Sequence, residues 1–382
     1  MEKFIKSLRT GVCVLLLANG FCLAAYAAPQ ENVRDGKEPE PDAMGVIPQK
    51  IIHRIAPPQP VSTVSPFGPG KPIRETYAIP VGSTGSNAYP IQYHGGPVMA
   101  GLSKVVLIWY GNWNRGNGTD TPQGQQIIRN AIYGLANDAT TSGYSDYSGI
   151  TTSVNTSLGS YAQTSTGPVS MISAGSVECS QAASSTYGGT RLSDAYVQKL
   201  VKTMATSLCS GGTPIADAIY LVLSSSDISE SSGFLTKYCG WHTYATMTVG
   251  GTSVPVKYGF IGNPSKSIST CAVQTTSSPN NNPGVDAMVS VIAHELEETV
   301  TDPMLNAWYN SQGAENGDMC AWTFGKYLFT ASNNSSYYNV TLPVPTNLTV
   351  PGNYSGQYLI QRALAVSNSA CYSNGNPLSL WQ

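Results

Sequence analysis

Residues 285–303 read VDAMVSVIAHELEETVTDP, and this stretch decides the fold. Val285, Val289, Ile292, Leu296 and Val300 recur at helical spacing and lay one apolar stripe along a helix that Pro303 must end. Between Val285 and Ile292 only Asp286 and Ser290 are polar, so the helix belongs inside the molecule. Its other face carries His294 and Glu298, one turn apart, with Glu295 beside them. Two ligands one turn apart can chelate one metal ion. A Glu directly after the first ligand is the general-base position of His-Glu-x-x-His metallopeptidases. Here Glu298 stands where the second His would be.

The segments around the helix supply the rest of the architecture. Residues 104–110 (KVVLIWY) and 218–223 (AIYLVL) are unbroken apolar runs and read as buried strands. Residues 169–173 are a further strand candidate. Residues 253–261 (SVPVKYGFI) read as a strand that Pro255 pushes to a sheet edge. Helical spacing covers 122–136, and 192–208, where Ser193 and Asp194 mark the start. The last strand is expected over 356–366. Strands alternating with helices make this an α/β chain: a three-layer sandwich with a mixed sheet, a long active-site helix and a disulfide-stabilised C-terminal part.

Charge is scarce, which makes a charge cluster informative. Only 11% of the 382 residues are Asp, Glu, Lys or Arg, and the net charge is −2, against about 25% charged residues in an ordinary soluble domain. Such a chain lacks the basic patch that nucleic acid requires. Yet Glu295, Glu297, Glu298, Asp302, Glu315 and Asp318 crowd into one short stretch, and no Lys or Arg occurs from 267 to 325. Carboxylates gathered without a cation must be solvated or neutralised by a bound one. Glu315 or Asp318 then completes a three-ligand site with one open position. Glu315 is the preferred third ligand, with Asp318 orienting His294, and the reverse assignment is nearly as good.

Other histidines have plainer readings. His242 follows Cys239 closely and suits a structural role beside a disulfide, or polarisation of a substrate carbonyl. His94 precedes a Gly-Gly-Pro turn and suits a backbone hydrogen bond, and His53 lies in a Pro-rich arm. No Gly-x-Ser-x-Gly elbow and no phosphate-binding glycine loop occurs.

The N-terminus has the pattern of a secretory signal peptide over 1–27. Lys3, Lys6 and Arg9 precede an apolar run that ends in Ala25-Tyr26-Ala27. Residues 28–85 hold Pro29 to Pro80, 11 of the 25 prolines, and read as a linker or pro-segment dispensable for folding of the 86–382 domain. No segment is long and apolar enough for a membrane span. Beyond the signal peptide lie Cys179, Cys209, Cys239, Cys271, Cys320 and Cys371. Their even number in an exported chain implies three disulfides, with sequential pairing preferred among fifteen patterns.

Tyr93–Val98 (YHGGPV), Val106–Trp113 (VLIWYGNW), Tyr258–Asn263 (YGFIGN), Asp286–Leu296 (DAMVSVIAHEL), Asn306–Tyr309 (NAWY) and Gly317–Cys320 (GDMC) together resemble the EXORDIUM or phosphate-induced protein family. The resemblance spans residues 90–372 and implies a secreted, extracellular or cell-wall protein linked in plants to growth promotion. Asp302 precedes Pro303 where plant members usually carry Asn, so the resemblance does not require it as a ligand, and it stands behind Glu315 and Asp318 as a third-ligand choice. By analogy, the order of elements is also similar to the zincin metallopeptidases, where an edge strand holds extended peptide; residues 253–261 would take that part.

The expectation is therefore a secreted zinc-dependent hydrolase of peptide bonds. His294, Glu298 and Glu315 or Asp318 hold the metal, Glu295 is the general base, and Tyr309 or His242 stabilises the oxyanion. An oxygen-rich set also suits Ca²⁺ or Mn²⁺. The partner is a peptide or protein substrate, and a monomer is expected. The rival is a non-catalytic signalling or wall-binding protein on the same scaffold, because two carboxylate ligands cancel the charge of a divalent ion and weaken it as a Lewis acid.

Overall fold

The chain divides into two units, Met1–Pro41 and Asp42–Gln382. The computed structural model describes residues 53–55, 73–74, 91–99, 103–138, 177–178, 189–208, 214–215, 217–249, 251–324, 327–344, 356–365 and 370–372, all in the second unit. The signal peptide, the Cys179–Cys209 pair, the 169–173 strand and most of the Pro-rich arm lie outside these residues.

One six-stranded mixed sheet organises the unit. Its strands are β1 (His53–Ile55), β2 (Lys104–Tyr110), β3 (Val177–Glu178), β4 (Ala218–Ser224), β5 (Gly240–Val249) and β6 (Thr252–Gly262), in the order β1-β5-β6-β4-β2-β3. β6, β4, β2 and β3 run parallel, and β5 is antiparallel to both β6 and β1. Strand periodicity divides β2 and β4 between two cores. Val105, Leu107, Trp109, Ile219, Leu221 and Leu223 face helices α1 (Pro122–Asp138) and α3 (Pro283–Thr301). Val106, Ile108, Tyr110, Tyr220 and Val222 face helix α2 (Asp194–Thr203). Helices thus cover both faces, as the element order requires.

Three local readings need correction. Residues 253–261 do form a strand, but β6 lies between β5 and β4 and is not an edge. Pro255 is tolerated because pairing with β4 begins only at Lys257, so Pro255 sits in an overhang opposite Thr246 of β5. The single strand expected over 356–366 is two short ones, Gln357–Tyr358 and Ala363–Ala365. Between them Ile360 N–H donates to Asn339 Oδ1 and Gln361 N–H to Ser290 Oγ, so side chains replace the ladder. The helix of 192–208 starts later, because Leu192 is in a strand and Ser193 is the N-cap, accepting from Tyr196 N–H; past Thr203 it becomes a π-turn, Met204–Leu208.

α3 begins at Asn282, whose side chain accepts from Val285 N–H, with Pro283 in the first turn. Every residue from Gly284 to Thr301 is buried. The sheet covers one side. Met319, Trp322, Phe324 and Leu359 of the C-terminal part belong to the same core and cover the other. Among the described residues no helix is long and apolar enough to cross a membrane.

Candidate metal centre

Three elements converge on the polar end of α3. The helix brings His294, Glu295 and Glu298, which are 3%, 0% and 0% exposed. β5 brings His242: Trp241, Ala245 and Met247 point into the α2 core, so alternation turns His242 to the α3 side. The turn before the Asp318–Cys320 3₁₀ segment brings Glu315 and Asp318.

The side chains stand close to one another, and His242 shares a hydrogen bond with Glu315. His294 Nε2 lies 3.0 Å from Glu298 Oε1 and 3.9 Å from Asp318 Oδ1. His242 Nε2 lies 3.0 Å from Glu315 Oε2 and 3.5 Å from Glu298 Oε2. Asp318 N–H donates to Glu298 Oε1 at 3.0 Å. Gly317 makes this approach feasible, because a Cβ there would stand 2.8 Å from Glu298 Oε1 and 2.9 Å from His294 Nδ1. Two disulfides brace the ligand segments: Cys239–Cys271 just before His242, and Cys320–Cys371 just after Asp318. Both are pairs of the preferred pattern.

Burial opposes a charge on His242. The field of Glu315, hydrogen bonds that the ring donates to Glu298 and Glu315, and the field of Glu295 outweigh it and push its pKa up to about 10. His294 is likewise opposed by burial and raised overall, chiefly by Glu298, then Glu295 and Asp318. The ring nitrogens of His294 are buried and make no hydrogen bond, although Nε2 is only 3.0 Å from a carboxylate oxygen. A ring nitrogen aimed at carboxylates without a shared hydrogen bond fits a common cation between them. Two ligands about 2.1 Å from a tetrahedral ion stand about 3.4 Å apart, close to the separations seen. His294, Glu298 and Asp318 form one group whose ligand atoms all lie within 4.8 Å of one another, and His242, Glu295 and Glu298 form another. The donor set therefore fits a divalent ion.

The other candidates fall elsewhere. Asp302 Oδ1 accepts from the N–H groups of Asn306 and Ala307 and closes the turn after α3. Tyr309 stacks on His94, with ring centroids 3.7 Å apart, and its carbonyl lies 3.1 Å from His94 Nε2. Glu315 sits on His242 rather than on His294, and Asp318 stands beside His294. His242 is the member sequence reasoning did not place among the ligands. Its strand went unread, although the alternation of Trp241, Thr243, Ala245 and Met247 before Gly250-Gly251 is a hairpin signal.

Comparison with known proteins agrees with this arrangement of motifs. Three Arabidopsis thaliana relatives are similar. Protein EXORDIUM-like 3 is 30% identical over 63% of this chain and 71% of its own length. Protein EXORDIUM-like 5 is 28% identical over 63% and 66%. Protein EXORDIUM is 27% identical over 62% and 74%. No solved structure matches. The family model described as the phosphate-induced protein 1 conserved region matches residues 91–374, and the chain belongs to that family.

Proposed function

We propose that the chain is an extracellular, zincin-like hydrolase of peptide bonds that uses a divalent ion held by His294, Glu298 and Asp318. The observation that carries this reading is the His294–Glu298–Asp318 group, its first two members buried and its third half-buried, set in a stretch without Lys or Arg. Zinc suits one imidazole and two carboxylates; Mn²⁺ and Ca²⁺ are the oxygen-preferring alternatives. When bound, such an ion supplies Lewis acidity to a scissile carbonyl. Glu295 is next to His294 on the helix but outside its group. It takes a proton from water and passes it to the leaving amine. The sheet edge nearest the centre is β1, which pairs antiparallel with β5 and sets His53 opposite His242. An extended substrate would take that place on β5, so the Pro-rich arm acts as a pro-segment that must leave first. The disulfides Cys239–Cys271 and Cys320–Cys371 support an oxidising compartment.

One observation favours a second reading, a non-catalytic extracellular protein with a structural ion. Glu295, Glu298 and His242 are fully buried, and Glu315 is 1% exposed. Only Asp318, with a side chain 23% exposed, reaches solvent to any extent.

Glu295→Gln separates the two. With one equivalent of zinc, the variant retains the ion while turnover of an unstructured protein substrate falls by about 10²–10⁴. His294→Ala loses the ion, because a three-ligand site cannot spare one. Unchanged turnover in Glu295→Gln overturns the role given to Glu295. A wild-type protein that holds the ion and hydrolyses nothing establishes the second reading.

A further inference from the structure

Glu298 belongs to two groups at once. Its Oε1 faces His294 Nε2 at 3.0 Å and its Oε2 faces His242 Nε2 at 3.5 Å. The first group is His294, Glu298 and Asp318; the second is His242, Glu295 and Glu298, all three fully buried. Each group offers three ligand atoms and a histidine of its own. A carboxylate that turns one oxygen to each of two ligand sets is the shape of a bridge between two cations.

Charge supports the same conclusion. Glu295, Glu298 and Glu315 bring three buried negative charges together and the half-buried Asp318 a fourth, and residues 267–325 contain no Lys or Arg. One divalent ion together with a protonated His242 leaves one of these charges over, whereas two ions with neutral histidines leave none. Buried like charges are costly unless a cation matches them. Gly240, the first residue of β5, lets α3 come close at this point: a Cβ there would stand 2.5 Å from Val291 Cγ1 and 3.1 Å from Glu295 Oε1.

We propose that the centre has a second divalent-cation position, formed by His242, Glu295 and Glu298 and joined to the first through the two oxygens of Glu298. The inference rests on the reading that His294, Glu298 and Asp318 hold the first ion. It adds regulation to that site. Glu295 is the proton acceptor of the proposed hydrolysis, and an ion in the second position occupies its carboxylate. Turnover is then greatest with one ion bound and falls as the second fills, so the enzyme is throttled by its own metal.

The test is a zinc titration of the chelated, full mature chain, followed by calorimetry and by elemental analysis after gel filtration. Wild type is expected to bind two ions in distinguishable steps. His242→Ala binds one, and so does the milder His242→Asn, which guards against a folding defect; a thermal melt identifies any unfolded variant. Glu295→Gln also loses the second step. Turnover of the wild type drops about tenfold or more between one and several equivalents of zinc, as for an ion that occupies the catalytic base. A single ion in wild type, His242→Ala and His242→Asn alike overturns the second position and leaves the proposed function standing. No bound ion in any of them overturns both. Two ions with turnover rising on the second step overturn the inhibitory role.

Discussion

Asp120 and Glu298 are both fully buried carboxylates, and the two are buried in opposite ways. Asp120 lies among the loops that follow β2, β4 and β6. Its Oδ1 accepts from Ser226 N–H and Asn263 Nδ2, and its Oδ2 from Asn117 Nδ2 and Ser226 Oγ. Arg115 Nη1 stands 3.7 Å away. Neutral donors satisfy one charge and staple three loops together. Glu298 instead faces two histidines in the company of Glu295, Glu315 and Asp318. A carboxylate matched to its donors is structure; a set of carboxylates that outnumbers its cations is a place for a ligand. Burial alone does not tell them apart, but the count of donors and charges does.

The contrast breaks first at Asp120. Asp120→Ala removes the acceptor of two amide groups, one hydroxyl and one backbone N–H, of which Ser226 and Asn263 are buried, at about 1–3 kcal/mol for each donor that water does not reach. The expected loss is about 3–5 kcal/mol of unfolding free energy, with zinc content unchanged. Denaturant melts with and without chelator check it. A loss below about 1 kcal/mol would mean that water replaces the carboxylate and that the staple is not structural.

Asp286 is an intermediate case. Ser278 Oγ, Asn280 N–H and Asn280 Nδ2 all donate to it, yet burial outweighs them and raises its pKa to about 6. In the unfolded chain the group titrates near 3.8. Between these values the native state holds a proton that the unfolded state has released, so stability falls as pH rises through the window. The shift corresponds to about 3 kcal/mol. Asp286→Asn cannot titrate, so the stability of wild type relative to this variant should decline by about that amount from pH 4 to pH 7. A difference independent of pH, or one that grows with pH, would show that the three donors dominate instead.

Much of the fold could be read in advance where periodicity and composition act together. The unbroken runs of β2 and β4 are buried on both faces, and the sequence shows just that. α3 was legible as a helix. Its stripe understated the burial, because the C-terminal part covers the face that carries His294 and Glu298, and that cover comes from long-range packing with no local signature. The pairing of His294 with Glu298 followed from helix geometry alone. Helix geometry says nothing of His242, which the sequence offers only as a structural residue or an oxyanion partner. It joins the centre only because β5 folds back beside β6 in a hairpin, and Pro255 had suggested an edge there. The choice between Glu315 and Asp318 depended on a turn whose shape Gly317 permits but spacing does not reveal.

That choice gives the smallest and sharpest test. Glu315 Oε2 lies 3.0 Å from His242 Nε2, but Glu315 belongs to neither three-ligand group, whereas Asp318 belongs to the first. Glu315→Gln preserves an acceptor for the imidazole and removes only a charge. Removing a carboxylate charge beside His242 Nε2, it should weaken zinc at the second position about 10–100-fold at most and leave the first ion in place. It also removes the charge that does most to hold the buried His242 imidazolium, so the chelated variant should melt below wild type at neutral pH. Asp318→Asn removes a ligand of the first ion and should lose that ion outright. Competition titrations against a chromophoric chelator rank the two variants. If Glu315→Gln loses the first ion and Asp318→Asn keeps it, the third ligand is Glu315, and the centre is built around His242 rather than His294.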